Sequence, residues 1–181
     1  MKKIALLTLS FFVGNAIFAQ KMMTRSGEIK FEASIPAFEE IAATNNTVSC
    51  ILDQQTGDFV ALGLIKAFKF KSPLMEEHFN ENYMESTKLP KSTFKGKILN
   101  LVASKITATK TTYDLEGDLT IHGVTKKIKT KINLVLNAGK ITATSIIMIK
   151  PQDYGIEIPN LVKSKIAENV KVSINFILEE K

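Results

Sequence analysis

The chain has 181 residues, 45% of them hydrophobic, with one cysteine, no tryptophan and a formal net charge of +6 at pH 7. That length is sufficient for one domain with a hydrophobic core. The lysines are scattered singly along the chain, so the positive charge does not indicate a nucleic-acid-binding surface. The single cysteine, Cys50, has no partner for an internal disulfide and lies in an apolar run, where we expect a buried thiol.

Residues 1–19 have the pattern of a secretory signal peptide. Two lysines begin the segment, an apolar run follows over residues 4–13, and Ala19 is a small residue at the expected cleavage point. An N-terminal membrane anchor is the alternative, but the apolar run is shorter than the ~20 residues of a spanning helix. We therefore predict export, cleavage near Ala19, and a mature periplasmic or secreted domain over residues 20–181.

The first half of the mature chain predicts three strands. Residues 26–33 alternate apolar and polar side chains with the period of two that is typical of a half-buried strand. Residues 46–52 read as a second strand, and residues 59–70 form a long, nearly continuous apolar run that reads as a third. Gly63 interrupts the third strand and predicts a bulge or bend there. Between the first two strands, residues 35–43 are expected to form a bend or a single helical turn.

The hydrophobic period changes after Ser72, and we predict a short helix over residues 73–84. Ser72 is a suitable N-cap, and Pro73 suits the first helical position. Acidic residues in its first turn are favourable at a helix N-terminus. One face of the helix carries an apolar stripe, which would form either an ordinary cap over one end of the domain or a lid over an opening there; it consists of Met75, Phe79 and Tyr83.

The second half of the chain returns to strand periodicity, with hairpins at two glycine-containing turns. Tyr113 to Ile121 places apolar residues or glycine at every odd position, and a turn at His122-Gly123-Val124 joins it to a strand of matching apolar face. A second tight turn is expected at Asn137-Ala138-Gly139. Residues 151–169 read as a loop-rich connection with short helical content near residues 161–167. The predicted strands here cover residues 92–99, 106–122, 126–136, 140–149 and 170–178.

Many strands joined by tight turns, with one short inserted helix, predict an all-β antiparallel fold. A meander of long hairpins that closes on itself leaves no strand edge unpaired. We therefore predict a closed barrel rather than a sandwich.

Three segments resemble those of the YceI-like family, whose members are lipocalin-like, polyisoprenoid-binding periplasmic proteins. They are the opening SGEIKF at residues 26–31, the helix and following strand LMEEHFNENYM…LPKSTFKG at residues 74–96, and the hairpin LEGDLTIHGVTK at residues 115–126. The resemblance covers essentially the whole mature chain. It implies an extended antiparallel lipocalin-like barrel whose lumen holds a long apolar chain, with polyisoprenoid lipids as the associated ligands.

The lumen of such a barrel would be lined by inward-facing apolar side chains. A barrel of about eight strands is either just filled by its side chains or holds one small ligand. Gly117, and Gly63 if it points inward, are expected to leave space in the lumen. The alternative is that the same residues make an ordinary filled core. The candidate lipid-binding residues are Phe59, Tyr113, Leu115, Leu119, Ile132, Leu134, Ile147, Val172, Ile174 and Phe176, together with the lid residues Met75, Phe79 and Tyr83.

No motif of nucleophilic, phosphate-binding or metal-dependent catalysis is present in the sequence. His78 and His122 are its two histidines, and we expect a helix-flank residue and a turn residue bonded to its own backbone. A zinc site would need further ligands, which Glu77, Glu81 or Asp118 would supply only if the fold happened to bring them together. We predict no catalytic residues, no metal and no cofactor.

The predicted function is therefore non-catalytic binding, transport or sequestration of an apolar, isoprenoid lipid in the cell envelope. Its expected partners are the lipid and, transiently, a membrane, with the protein a monomer or homodimer. Two alternatives remain open: a filled-barrel structural or stress-related interaction protein without ligand, and an enzyme or metal protein that uses His78 or His122.

Overall fold

The computed structural model describes residues 21–36 and 38–180, so the predicted signal peptide lies outside the described residues. These residues form nine strands and two short helices, α1 over Pro73–His78 and α2 over Asn160–Lys163. The strands are β1 Lys21–Ser34, β2 Ala42–Asp53, β3 Asp58–Leu64, β4 Lys69–Phe70, β5 Lys91–Ile98, β6 Thr111–Ile121, β7 Val124–Asn137, β8 Lys140–Ile149 and β9 Ile166–Glu180.

Eight long strands close into an antiparallel barrel. Their order is β1-β9-β8-β7-β6-β5-β3-β2, and pairing between β1 and β2 closes the ring. The two-residue β4 is appended to the start of β2, where Phe70 lies opposite Ala43. The all-β barrel predicted from the sequence is confirmed.

The β6–β7 hairpin follows the predicted pattern. His122 and Gly123 both have positive φ, 50° and 76°, which is the backbone of a two-residue type I′ turn. Tyr113 lies opposite Ile132, so the two strands share one apolar face as predicted. The β7–β8 turn repeats this geometry at Ala138 and Gly139.

Residues 59–70 were predicted as one strand, and this prediction is wrong. The strand β3 ends at Leu64, and a 3-10 turn at Ile65–Ala67 redirects the chain before β4. The turn forms because the buried Ile65 packs inward while its N–H bonds to the carbonyl of Pro90 at 2.9 Å. The expected irregularity at Gly63 is also absent, since Gly63 pairs in unbroken register with β5.

The register shifts of the described barrel lie in β1 instead. They fall on either side of Gly27 in its pairing with β2, and before Glu28 and after Glu32 in its pairing with β9. A second correction concerns residues 106–110, which were predicted as the start of a strand. They are loop, and β6 begins at Thr111. The chain leaves the sheet here because Ile106 turns in to join the buried core, 3% exposed.

The helix α1 begins as predicted. Ser72 is its N-cap and accepts a hydrogen bond from the Met75 N–H, and Pro73 occupies the first turn. A wider π-type turn at Phe79–Tyr83 continues it. Among the described residues, no helix has the length and apolar composition needed to cross a membrane.

The barrel has two unlike halves along its axis. At the end that carries the β7–β8 turn, the inward side chains pack into a filled core, and we call this the closed end. The opposite end carries the β1–β2 connection, α1 and the connection from β8 to β9, and we call it the open end. Fully buried side chains of the closed half include Leu52, Ile98, Ile132, Leu134, Ile141 and Leu178.

Candidate functional site: an apolar cavity in the open half of the barrel

The open half of the barrel encloses a cavity of about 480 Å³. This volume is within the range of about 300–1,000 Å³ that is typical of small-molecule sites. Its walls are inward-facing side chains that are only half-buried, because one side of each faces the void rather than a neighbour. These wall residues include Ile29, Phe31, Leu119, Ile147, Val172 and Ile174.

Three phenylalanines make the floor of the cavity. Phe59 lies 6.2 Å, centroid to centroid, from both Phe94 and Phe176. Phe59 and Phe176 are each 1% exposed, so the floor is continuous with the filled core below it. Gly27 makes room for this packing, because a β-carbon there would lie 2.5 Å from the Phe176 ring.

Gly117 was expected from the sequence to leave space in the lumen, but the structure shows no open space there. It lies opposite Gly96, and the ring of Phe94 covers both glycines. A β-carbon would lie 2.5 Å from Phe94 Cζ at Gly96, and 2.7 Å from the same atom at Gly117. The two glycines therefore permit close packing of an aromatic ring on the sheet.

An aromatic cluster narrows the cavity towards its mouth. Phe79, on the turn after α1, packs its ring 5.3 Å from Phe31 and 5.1 Å from Phe70. Phe68 joins the cluster at 5.9 Å from Phe79. These rings hold the helical segment over the open end, and Met75 lines the cavity from α1 itself.

An ion pair fixes the start of α1 to β4. Glu76 accepts from the Lys69 ammonium at 2.6 Å and from the Phe70 backbone N–H at 3.2 Å. The Lys69 ammonium, assisted by the Phe70 N–H, holds the pKa of the Glu76 carboxyl below its usual value. The helical segment is thus anchored by aromatic packing and by a charged contact with the same short strand.

Few polar side chains reach the cavity. Ser92 and Tyr83 lie in its wall, and three exposed side chains, Glu39, His78 and Lys165, lie at its edge. Both signs of charge are present there, while the interior is apolar. Such a site selects a ligand by apolar shape and leaves its polar end at the mouth.

The structure brings most of the predicted lumen residues to this cavity. Tyr113, Ile132 and Leu134 do not line it; they belong to the closed half, where Ile132 and Leu134 are 0% exposed. The difference arises because alternation tells which face of a strand points inward but not how far along the axis the lumen is filled. The predicted residues that line the cavity are Phe59, Met75, Phe79, Tyr83, Leu115, Leu119, Ile147, Val172, Ile174 and Phe176.

Sequence reasoning missed three groups of lining residues. Ile29 and Phe31 lie in a strand whose alternation was visible, so the signal was present in the sequence. Phe68 and Phe70 were missed because residues 59–70 were predicted as one continuous strand, without the turn that brings these two rings to the cavity. The loop residues had no periodic signal at all; they include Phe38, Ile156, Ile158 and Val162.

The side chains weighed for catalysis are placed as follows. His122 was expected to bond its own backbone, but its Nδ1 lies 3.3 Å from the Tyr154 carbonyl and its Nε2 lies 3.4 Å from Glu85 Oε2. This ring therefore joins the β6–β7 turn to two loops of the open end. Burial raises the pKa of the free Cys50 thiol, which disfavours the reactive thiolate. Within residues 21–36 and 38–180, no group of acidic, histidine or cysteine side chains is arranged to hold a metal ion.

Comparison with known proteins places this architecture in context. The model of the YceI-like domain family matches residues 16–178. Three solved structures have the same fold at low identity. The polyisoprenoid binding domain from Saccharophagus degradans, implicated in plant cell wall breakdown, has a TM-score of 0.77 at 16% identity, covering 90% of this chain and 99% of its own.

Burkholderia cenocepacia BcnA has a TM-score of 0.68 at 14% identity, covering 83% of this chain and 95% of its own. The Campylobacter jejuni YCEI protein has a TM-score of 0.61 at 16% identity, covering 100% of this chain and 99% of its own. None of the curated proteins matches the chain.

Proposed function

The chain belongs to the family of YceI-like domains, as its sequence predicted, and from that premise we propose that it binds an apolar lipid of the polyisoprenoid class in its cavity. The protein carries or sequesters this lipid in the cell envelope and catalyses no reaction on it. The observation that carries the proposal is the cavity in the open half of the barrel. It has a volume of about 480 Å³, and apolar side chains line it above the filled core of the closed half.

The energetics of such a cavity favour a long hydrocarbon chain. Each methylene-sized group moved from water into it gains about 0.8 kcal/mol before the cost of association and ordering. Affinity therefore grows with each group buried, without any polar contact. It stops growing when the chain reaches the floor at Phe59, Phe94 and Phe176.

A solved domain of the same fold that binds polyisoprenoids supports this ligand class. The filled-barrel alternative describes the closed half of the barrel but not the open half, where the wall residues are only half-buried. Export and cleavage near Ala19, like the monomeric or homodimeric state, stay predictions of the sequence.

Adjacent residues on β8 offer a matched test. Ile147 lines the cavity, whereas Ile146 points outwards and is 59% exposed. Ile147→Trp places an indole in the lumen, and Ile146→Trp adds the same group to the outer surface. Because the wild-type chain has no tryptophan, each variant also reports its own surroundings by fluorescence.

The assay is native mass spectrometry of delipidated protein mixed with prenols of increasing length. We expect a one-to-one adduct with the wild type and with Ile146→Trp, and a loss of at least tenfold in affinity with Ile147→Trp, since the indole displaces several buried groups of the ligand. An absence of adduct with the wild type, or equal uptake by both variants, would contradict binding in this cavity.

A further inference from the structure

Three large apolar side chains are exposed at the open end of the barrel. Phe38, in the β1–β2 connection, is 49% exposed; Leu74, in the first turn of α1, is 59% exposed; and Leu161, in α2, is 88% exposed. Burying such side chains against another apolar phase is favourable, and each lies on a separate segment. A partner that covers them must accept three apolar groups from different loops at once.

These three side chains surround the mouth of the cavity. Phe38 itself lines the cavity, and Leu74 and Leu161 are followed directly by lining residues, Met75 and Val162. The segments also share one end of the barrel. The β1–β2 connection leaves β1 at Ser34, which pairs with Ile166 at the start of β9, just after α2.

The charges around this rim are of both signs and partly neutralise each other. Glu40 pairs with Lys71 beside the β1–β2 connection, and Glu76 pairs with Lys69 at 2.6 Å under α1. Lys163 is the last residue of α2 and Lys165 follows it, and the cavity lining includes both Lys165 and Glu39. A mixed rim of this kind suits a surface that is itself net neutral, because neither sign of charge predominates.

We propose that the open end docks on a net neutral, zwitterionic lipid surface, with Phe38, Leu74 and Leu161 inserted at its boundary. Insertion turns the cavity mouth towards the hydrocarbon, so that an insoluble chain passes between lipid and lumen without crossing water. The purpose of the docking rests on the proposed function, whereas the docking itself needs no cargo. The two can therefore be tested separately.

The experiment uses phosphatidylcholine vesicles free of isoprenoids and measures co-flotation of the protein. The variant is Leu74→Ser/Leu161→Ser, and its control is Ile146→Ser/Ile177→Ser on the barrel wall, where the two isoleucines are 59% and 53% exposed. Each leucine removed from the boundary is expected to weaken binding about tenfold. The double rim variant therefore loses about 100-fold, while the wall variant binds as the wild type does.

A tryptophan reporter locates the inserted surface. In Leu161→Trp, the sole tryptophan should shift its emission to the blue with vesicles and be quenched by brominated acyl chains, whereas Ile177→Trp should show neither effect. Binding should persist at high salt, since it depends on apolar insertion. Binding that requires anionic lipid and disappears with salt would overturn the proposal, as would equal loss in the rim and wall variants or an unshifted Leu161→Trp.

The cargo assay separates this result from failure of lipid binding in the cavity. Leu74 and Leu161 are outside the cavity lining, so the double rim variant should still take up a prenol added from solvent. Prenol uptake without vesicle binding by the wild type refutes the docking alone. Vesicle binding without prenol uptake by the wild type refutes the proposed function alone.

Discussion

The division of the barrel into a filled and a hollow half can be tested with one pair of matched truncations. Ile132 is 0% exposed in the closed half, whereas Ile174 is half-buried and lines the cavity. Both lose the same atoms on mutation to alanine. Only the surroundings of the two side chains differ, so the difference in their effects measures local packing.

The expected costs follow from what each side chain touches. Ile132→Ala removes three methylene-sized groups at about 0.8 kcal/mol each and leaves a residual cavity, for a total of about 3–4 kcal/mol. Ile174 already faces a void on one side, so part of its dispersion contact is missing and no closed cavity is created. Its truncation should cost about 1–1.5 kcal/mol.

Urea unfolding followed by far-UV circular dichroism measures both free energies of unfolding, with the slope m checked for constancy. Ile174→Ala should also weaken prenol uptake in native mass spectrometry, and Ile132→Ala should leave it unchanged at a temperature where the variant is folded. Equal destabilisation by the two substitutions would refute a cavity in the open half of the barrel, because it would mean that both side chains are packed alike.

Two further substitutions test contacts outside the cavity wall. Gly117→Ala should destabilise the fold by about 1–3 kcal/mol in the same urea assay, because its β-carbon would lie 2.4 Å from Gly96 Cα. Its control is Gly63→Ala, whose β-carbon would lie 3.6 Å from the nearest heavy atom, so this variant should be neutral or slightly stabilising. Glu76→Gln should cost less than about 1 kcal/mol at neutral pH, since the Lys69–Glu76 pair is partly exposed. The Lys69 ammonium lowers the folded-state pKa of Glu76 below about 4.5, so this contribution is present above the unfolded pKa and is lost as pH falls through the folded one. Urea curves of wild type and variant should therefore converge in acid, and a difference that persists there would contradict the ion pair as its cause.

The sequence predicts the barrel well wherever local signals are sufficient. The strand β8 has the predicted bounds, residues 140–149, because polar turns flank an alternating run. Ser72 and Pro73 likewise predict the start of α1, since N-cap chemistry is a local property of the chain. Turn glycines fix the hairpins in the same way.

Other features depend on tertiary packing and could not be predicted. Ile65 and Ile106 both lie in segments that read as strand, yet each leaves the sheet to bury its side chain at an end of the barrel. Likewise, Ile132 and Ile174 have the same inward alternation, but one packs in the core and the other lines the cavity. The period of the hydrophobic pattern predicts whether a side chain points into the barrel. Whether the lumen around that side chain is filled depends on neighbours that are distant in sequence.

Contacts between phenylalanine and glycine set the depth of the cavity. The Phe176 ring fits against Gly27, and the Phe94 ring covers Gly96 and Gly117. Each glycine lets a ring approach the sheet, and each ring covers a backbone that has no side chain of its own. Shrinking either ring would lengthen the lumen but would also uncover glycine in the barrel wall. The depth of the lumen and the stability of this barrel are therefore coupled through the same floor, so a variant with a deeper lumen needs the glycines replaced together with the rings.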